Sequence, residues 1–254
     1  MNGPPTLRIC ALYPSRMNIY ADRGNMLLLQ RRCEARGFGF ELTAAEDGDA
    51  IDPDAHDLFY IGGGQDNDQI QIAGDMLRTK RDALAAAADA GKVILAVCGG
   101  YQLLGEYYEV NDQKIAGLGI VDLRTVREPG PRLIGNVMIE VEIGGEKRTL
   151  AGFENHGGRT YLGSTPALGR VISGHGNNGS DGFEGARRDN VFGTYLHGPL
   201  LPKNAWFADH LTQLALGVDE LEPLDDRLED LAHARAVSAA QGGERRRFGR
   251  GRAA

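Results

Sequence analysis

The chain has 254 residues, 42% hydrophobic and 25% charged, with a formal net charge of −7. That length supports one large domain with short appendages, and the acidic balance argues against a nucleic-acid binder. No apolar run approaches the roughly 20 residues of a membrane helix, and Met1-Asn2-Gly3-Pro4-Pro5 lacks the charged and apolar regions of a signal peptide, so a cytoplasmic protein is expected.

In chain order, residues 7–13 read as a first, mostly apolar strand bounded by Pro14. Residues 25–36 carry Met26, Leu29 and Cys33 at helical spacing, and Gly37 follows as a stop signal. Residues 38–42 and 57–61 read as further strands, the latter ending in Gly62-Gly63-Gly64. Helical segments follow over 68–77 and 80–90. Residues 92–97 form a near-continuous apolar run, the mark of a central parallel strand buried on both faces. They lead straight into Cys98-Gly99-Gly100-Tyr101-Gln102 and a short helix. From about 115 to 174 short strands dominate, such as 136–143 with alternating apolar residues. Residues 191–196 return to strand character and deliver His197, and 204–216 and 225–240 read as helices.

This alternation predicts an α/β fold. We expect an open, mostly parallel sheet with helices on both faces, extended by a mixed or antiparallel part. The expected organisation is an unstructured start (1–6), one domain over 7–217, a C-terminal helical segment (218–240) and an unstructured tail (241–254). The tail carries Arg245, Arg246, Arg247, Arg250 and Arg252.

Cys98 stands where a buried strand turns into a helix. Such a turn lifts a nucleophile out of the sheet, at the strand ends where open α/β sheets bind ligands. The helix N-terminus is expected to draw the thiol toward thiolate and to offer N–H groups to an oxyanion. A space-filling core cysteine is the competing reading, and it suits Cys10 and Cys33 better. The three cysteines fit no zinc spacing, and no metal site is expected. A thiol nucleophile needs a base. Of six histidines, His56, His210 and His233 read as solvated or packed, and His156 and His175 as loop residues near a site. His197, at a strand end before Gly198-Pro199, ranks first as the base. The Gly62-Gly63-Gly64 run lacks the Lys-Ser/Thr of a P-loop and reads as a second source of oxyanion donors. Arg132 is a candidate carboxylate clamp, weighed against a merely solvated loop arginine.

The strand–Cys98-Gly99-Gly100-Tyr101-Gln102 turn, with Gly193-Thr194-Tyr195-Leu196-His197-Gly198-Pro199 about a hundred residues later, resembles class I glutamine amidotransferases of the cobyric acid synthase-like branch. Segments 20–25, 61–64, 152–159, 174–178 and 193–203 are similar to the glutaminase subunits of lipid II isoglutaminyl synthases. The resemblance runs from about residue 7 to 203. It implies that Cys98 attacks the side-chain amide of L-glutamine and that His197 is the base. Arg132 and Gln102 would hold the substrate, and Gly99 with Gly63 or Gly64 would donate to the oxyanion. Two positions depart from the family pattern: Pro199 replaces the usual Glu two residues after the histidine, and Ala96 replaces a Gly. Asp22 is a candidate to orient His197 instead.

The resemblance further implies a heterodimer with a Mur ligase-like synthase subunit, MurT. That partner would use ATP and Mg to activate D-glutamate of lipid II for amidation to D-isoglutamine. No cofactor is expected in this chain. Alternatives are an amidotransferase subunit for a cobyrinic acid-type acceptor, a catalytically silent subunit of the same fold, or a peptidase-like cysteine hydrolase.

Overall fold

The computed structural model describes residues 3–19, 22–110 and 113–249, with side chains to residue 242. Residues 1–2, Tyr20 and Ala21 of the N-terminal motif, and 250–254 of the basic tail lie outside the described residues.

The chain starts with β1 (Thr6–Leu12), α1 (Arg23–Ala35), β2 (Gly39–Ala45) and β3 (Leu58–Ile61). It continues through α2 (Asp66–Asp75), a π-turn (Met76–Lys80), α3 (Arg81–Asp89), β4 (Val93–Val97) and α4 (Gly99–Leu103). Ten strands follow: β5 (Tyr107–Val110), β6 (Gln113–Ala116), β7 (Leu123–Arg127), β8 (Leu133–Ile143), β9 (Glu146–His156), β10 (Gly158–Leu162), β11 (Gly169–Ser173), β12 (Phe183–Glu184), β13 (Ala186–Arg188) and β14 (Val191–Thr194). A 3-10 turn (Leu201–Lys203), α5 (Ala205–Leu216) and α6 (Arg227–Gly249) complete it.

The main sheet has the order β13-β14-β4-β3-β1-β2, parallel except for the antiparallel edge strand β13. Strands β3, β4 and β14 are buried at every position, as the apolar run 92–97 predicts for a centre covered on both faces. The connection through α1 steps from β1 toward β2, whereas that through α2 and α3 steps from β3 toward β4. Right-handed crossovers in opposite directions place these helices on opposite faces. The order therefore reverses between β1 and β3. The chain leaves the carboxyl ends of β1, β3, β4 and β14 at one edge, where such sheets bind ligands.

The expected extension is two further four-stranded sheets, β10-β7-β5-β6 and β12-β11-β8-β9. The first is mixed, because β5 pairs with β7 in parallel, and the second is antiparallel. Its long hairpin turns at Gly144 and Gly145, with φ of 61° and 79°. Both central residues of such a tight turn need positive φ, which glycine adopts without steric cost. At the other end of the hairpin, Phe153 and His197 exchange both backbone hydrogen bonds (3.1 and 3.0 Å), tying β9 to the main sheet.

The expected helices over 68–77 and 80–90 are one helical stretch broken by the π-turn. Lys80 in that turn is fully buried, and its ammonium reaches Asp75 (3.0 Å), Thr79 (3.2 Å) and the Glu46 carbonyl (2.9 Å). Those partners satisfy a charge that would otherwise be costly to bury.

Candidate active site

Cys98 follows the last residue of β4 directly and begins α4. Its backbone, at φ 52° and ψ −107°, lies outside the regions comfortable for a residue with a side chain. Strain of this kind persists only where neighbours over-determine it. Here the Cys98 N–H donates to Thr194 O (2.8 Å) and its carbonyl accepts from Gln102 N (3.2 Å). The helix after it packs tightly on the end of β3: a Cβ on Gly100 would lie 2.5 Å from Ile61 O and 2.9 Å from Gly62 O.

The thiol is 6% exposed, on the floor of a cleft of about 530 Å³. The cleft wall includes Gly64, Gln102, Arg132, Asn155 and His156. Burial, and then the Asp22 carboxylate, push the Cys98 thiol up to about 12, against the opposing pull of the Gly99 N–H and Arg132. The thiolate expected from the helix N-terminus is therefore not the resting form. A helix of five residues is too short to outweigh burial of the sulfur.

His197 lies three residues beyond the end of β14, the strand that runs beside β4, and is fully buried. Burial, and then His156, Lys203 and Arg132, lower its imidazole to about 4. Thiol and imidazole therefore both rest neutral at physiological pH, an arrangement suited to proton transfer on attack rather than to a standing ion pair.

The glycine donors separate into two kinds. Gly63 N–H is spent on Asp22 Oδ2 (2.6 Å), which leaves Gly64, of the two glycines the sequence offered, as the oxyanion donor. Gly64 N–H donates to no described acceptor, and its nitrogen lies 3.1 Å from where a Cβ on Gly99 would sit. Gly64 and Gly99 thus lie close together beside Cys98. Asp22 turns its hydrogen bond to the glycine loop rather than to His197. Pro199, at the position of the usual Glu, packs on Gly24, where an added Cβ would lie 2.7 Å from the proline ring.

Gln102 lines the cleft with its amide nitrogen on the Tyr195 hydroxyl (3.0 Å), which also bonds Thr160 (2.6 Å). Arg132 gives one edge of its guanidinium to Asn155, Nε to Oδ1 and Nη2 to the carbonyl, both at 2.9 Å. The long hairpin brings both residues there, since Leu133 pairs with His156 at its open end. The structure thus assembles Cys98, Gln102, Arg132 and Gly64 around one cleft, with Gly99 next to Cys98 in the chain and His197 just past the strand that pairs with β4. Sequence reading missed Asn155, Thr160 and Tyr195, although Asn155 and Tyr195 stand inside motifs it singled out. It placed His156 in a loop; the residue ends β9, stacked on Tyr195 with ring centroids 3.6 Å apart. Cys10 and Cys33 are buried free thiols in β1 and α1, as expected. Among the described residues no acidic, histidine and cysteine cluster could hold a metal ion.

The profile of the CobB/CobQ-like glutamine amidotransferase domain matches residues 8–205. The GatD subunit of the glutamine-hydrolysing lipid II isoglutaminyl synthase of Streptococcus pneumoniae is 41% identical over 217 residues, 85% of this chain and 82% of that protein. The same subunit from Staphylococcus aureus is 39% identical over 210 residues, 82% of this chain and 84% of that protein. A crystal structure of a glutamine amidotransferase from Thermotoga maritima shares the fold, with a TM-score of 0.52 and 17% identity, covering 92% of this chain and 94% of that one. The motifs read from sequence, the cleft around Cys98 and these likenesses agree, and the chain belongs to the CobB/CobQ-like glutamine amidotransferases.

Proposed function

We propose that this chain is the glutaminase subunit of a lipid II isoglutaminyl synthase. The observation that carries the reading is the likeness to two such subunits over more than four-fifths of both chains. The cleft supports the chemistry. As glutamine enters, Arg132 and Gln102 hold it with the side-chain amide over Cys98. The thiol passes its proton to neutral His197 as sulfur attacks the amide carbon. The N–H groups of Gly64 and Gly99 receive the oxyanion. His197 returns the proton to the departing nitrogen, ammonia leaves, and a thioester remains. Water, deprotonated by His197, then cleaves the thioester to glutamate and regenerates the thiol.

Ammonia in bulk water becomes mostly ammonium, which is not a nucleophile, so the product needs a partner nearby. We assign that role to a Mur ligase-like subunit, MurT, which would use ATP and Mg to activate D-glutamate of lipid II. Glutamate release by the purified chain, alone and with co-expressed MurT, tests both halves. Release lost in Cys98→Ala supports the glutaminase, and lipid II amidation that needs both subunits supports the acceptor. Release with no amidation would leave the glutaminase in place and sink the lipid II assignment.

A further inference from the structure

The cleft chemistry leaves one buried group without a task. Asp22 is fully buried at the start of α1, far in sequence from the residues it meets. Its Oδ2 accepts the Gly63 N–H at 2.6 Å, while Oδ1 is buried with no hydrogen-bond partner among the described residues. A Cβ on Gly63 would lie 3.1 Å from Asp22 Oδ2 and 3.4 Å from Cys98 Cβ, so Gly63 is packed tightly against both the carboxylate and the nucleophile's side chain. An acceptor this deep, held on a single amide, is costly to bury and serves no helix cap, for Asp22 makes no side-chain capping bond to α1.

The rest of that helical turn grips the opposite side of the site. Asn25 accepts the Leu201 N–H (2.8 Å) and donates to the Tyr60 hydroxyl (3.0 Å). Gly24 lies against Pro199, two residues past His197. The first turn of α1 therefore touches the segment after the base and the loop that offers Gly64.

We propose that Asp22 is a positioning residue of the oxyanion site: by fixing the Gly63 N–H it turns the next peptide so that Gly64 N–H faces the sulfur of Cys98. The inference rests on the glutaminase reading. It also explains why two adjacent glycines have different tasks. Gly63 is the anchor and Gly64 the donor.

The test compares the full chain with Asp22→Asn, Asp22→Leu and Asp22→Ala. The amide oxygen of asparagine still accepts from Gly63, whereas leucine has a similar shape and no acceptor. An oxyanion donor acts in the transition state, so Asp22→Leu and Asp22→Ala should lower kcat by about 10²-fold, with KM within about 3-fold. Asp22→Asn should stay within about 10-fold of wild type. Glutamate γ-semialdehyde, which adds to the thiol and leaves an oxyanion, should lose affinity in parallel with kcat. Iodoacetamide, which alkylates sulfur without forming an oxyanion, should label Cys98 no more slowly, because removing a nearby negative charge favours the thiolate.

Equal losses in the Asn and Leu variants would overturn the proposal, as would a loss confined to KM or an unchanged aldehyde affinity. If Asp22→Ala fails to fold, the Asn and Leu pair decides. A wild-type chain with no Cys98-dependent glutamate release would instead remove the glutaminase reading itself.

Discussion

Cys98 and His197 sit in surroundings that push both toward neutrality, and that shapes how the enzyme should respond to pH. With the imidazole lowered to about 4, the acid limb of kcat/KM should fall well below the ordinary histidine value of about 6.5. A limb near 6.5 would show that partner or substrate rebuilds the site. Stability carries the same signature. His197 is neutral in the fold, so its contribution is present above about 6.5 and is lost as pH falls toward 4. Asp22 works in the opposite sense. Burial raises its carboxyl to about 7, so its contribution is present below the unfolded value near 3.9 and is lost as pH rises toward 7. The stability of Asp22→Asn relative to wild type should therefore grow between pH 4 and 7, on the order of 2 kcal/mol, as seen by urea unfolding at each pH. At Arg132 the outcome is simpler. Arg132→Ala should raise KM for glutamine roughly 10- to 100-fold through loss of a charged hydrogen-bond donor. Asn155→Ala should do the same more weakly, because it frees the guanidinium from its support.

At the scale of elements, legibility followed how local each signal was. Residues 92–97 could be placed from their own composition, since a strand buried on both faces must be apolar throughout. The turn at Cys98 was equally local. The hairpin of β8 and β9 was visible only in outline, because alternation says which face is buried but not which distant residue lies opposite. That is why Arg132 could be named as a clamp while Asn155, 23 residues away, went unseen as its support. The Asp22–Gly63 bond spans 41 residues and leaves no periodic trace, so the sequence offers Asp22 only as a candidate to orient His197 and cannot choose between Gly63 and Gly64. The resemblance supplied residue types for the site, and the fold supplied their pairings. The glycine turn of the hairpin gives a direct check on the element. Alanine at Gly144 or Gly145 should cost about 1 kcal/mol each by thermal unfolding, since both hold positive φ.

For the molecule as a whole, the C-terminal segment is fastened to the body of the domain. Arg32 on α1, nearly buried, makes ion pairs to Asp209 on α5 and Asp226 beside the start of α6, both at 2.6 Å. Further along, Ser173 donates to the Ala240 carbonyl at 2.9 Å. Ending the chain after Gly243 keeps both fastenings, and the readouts of fold and activity, melting temperature and glutamate release, should hold near wild type. Ending it after Pro223 keeps the Arg32–Asp209 pair but removes the Asp226 pair and the Ser173–Ala240 bond, and the melting temperature should fall by several degrees. Among the described residues no helix is long and apolar enough to cross a membrane.

The neutral, enclosed state of Cys98 has a consequence for oxidative damage. Peroxide attacks the thiolate, and a sulfur that is almost never ionised at rest is a slow target. The same enclosure that delays ionisation until glutamine arrives should let the idle enzyme outlast oxidant exposures that inactivate enzymes with a standing thiolate–imidazolium pair.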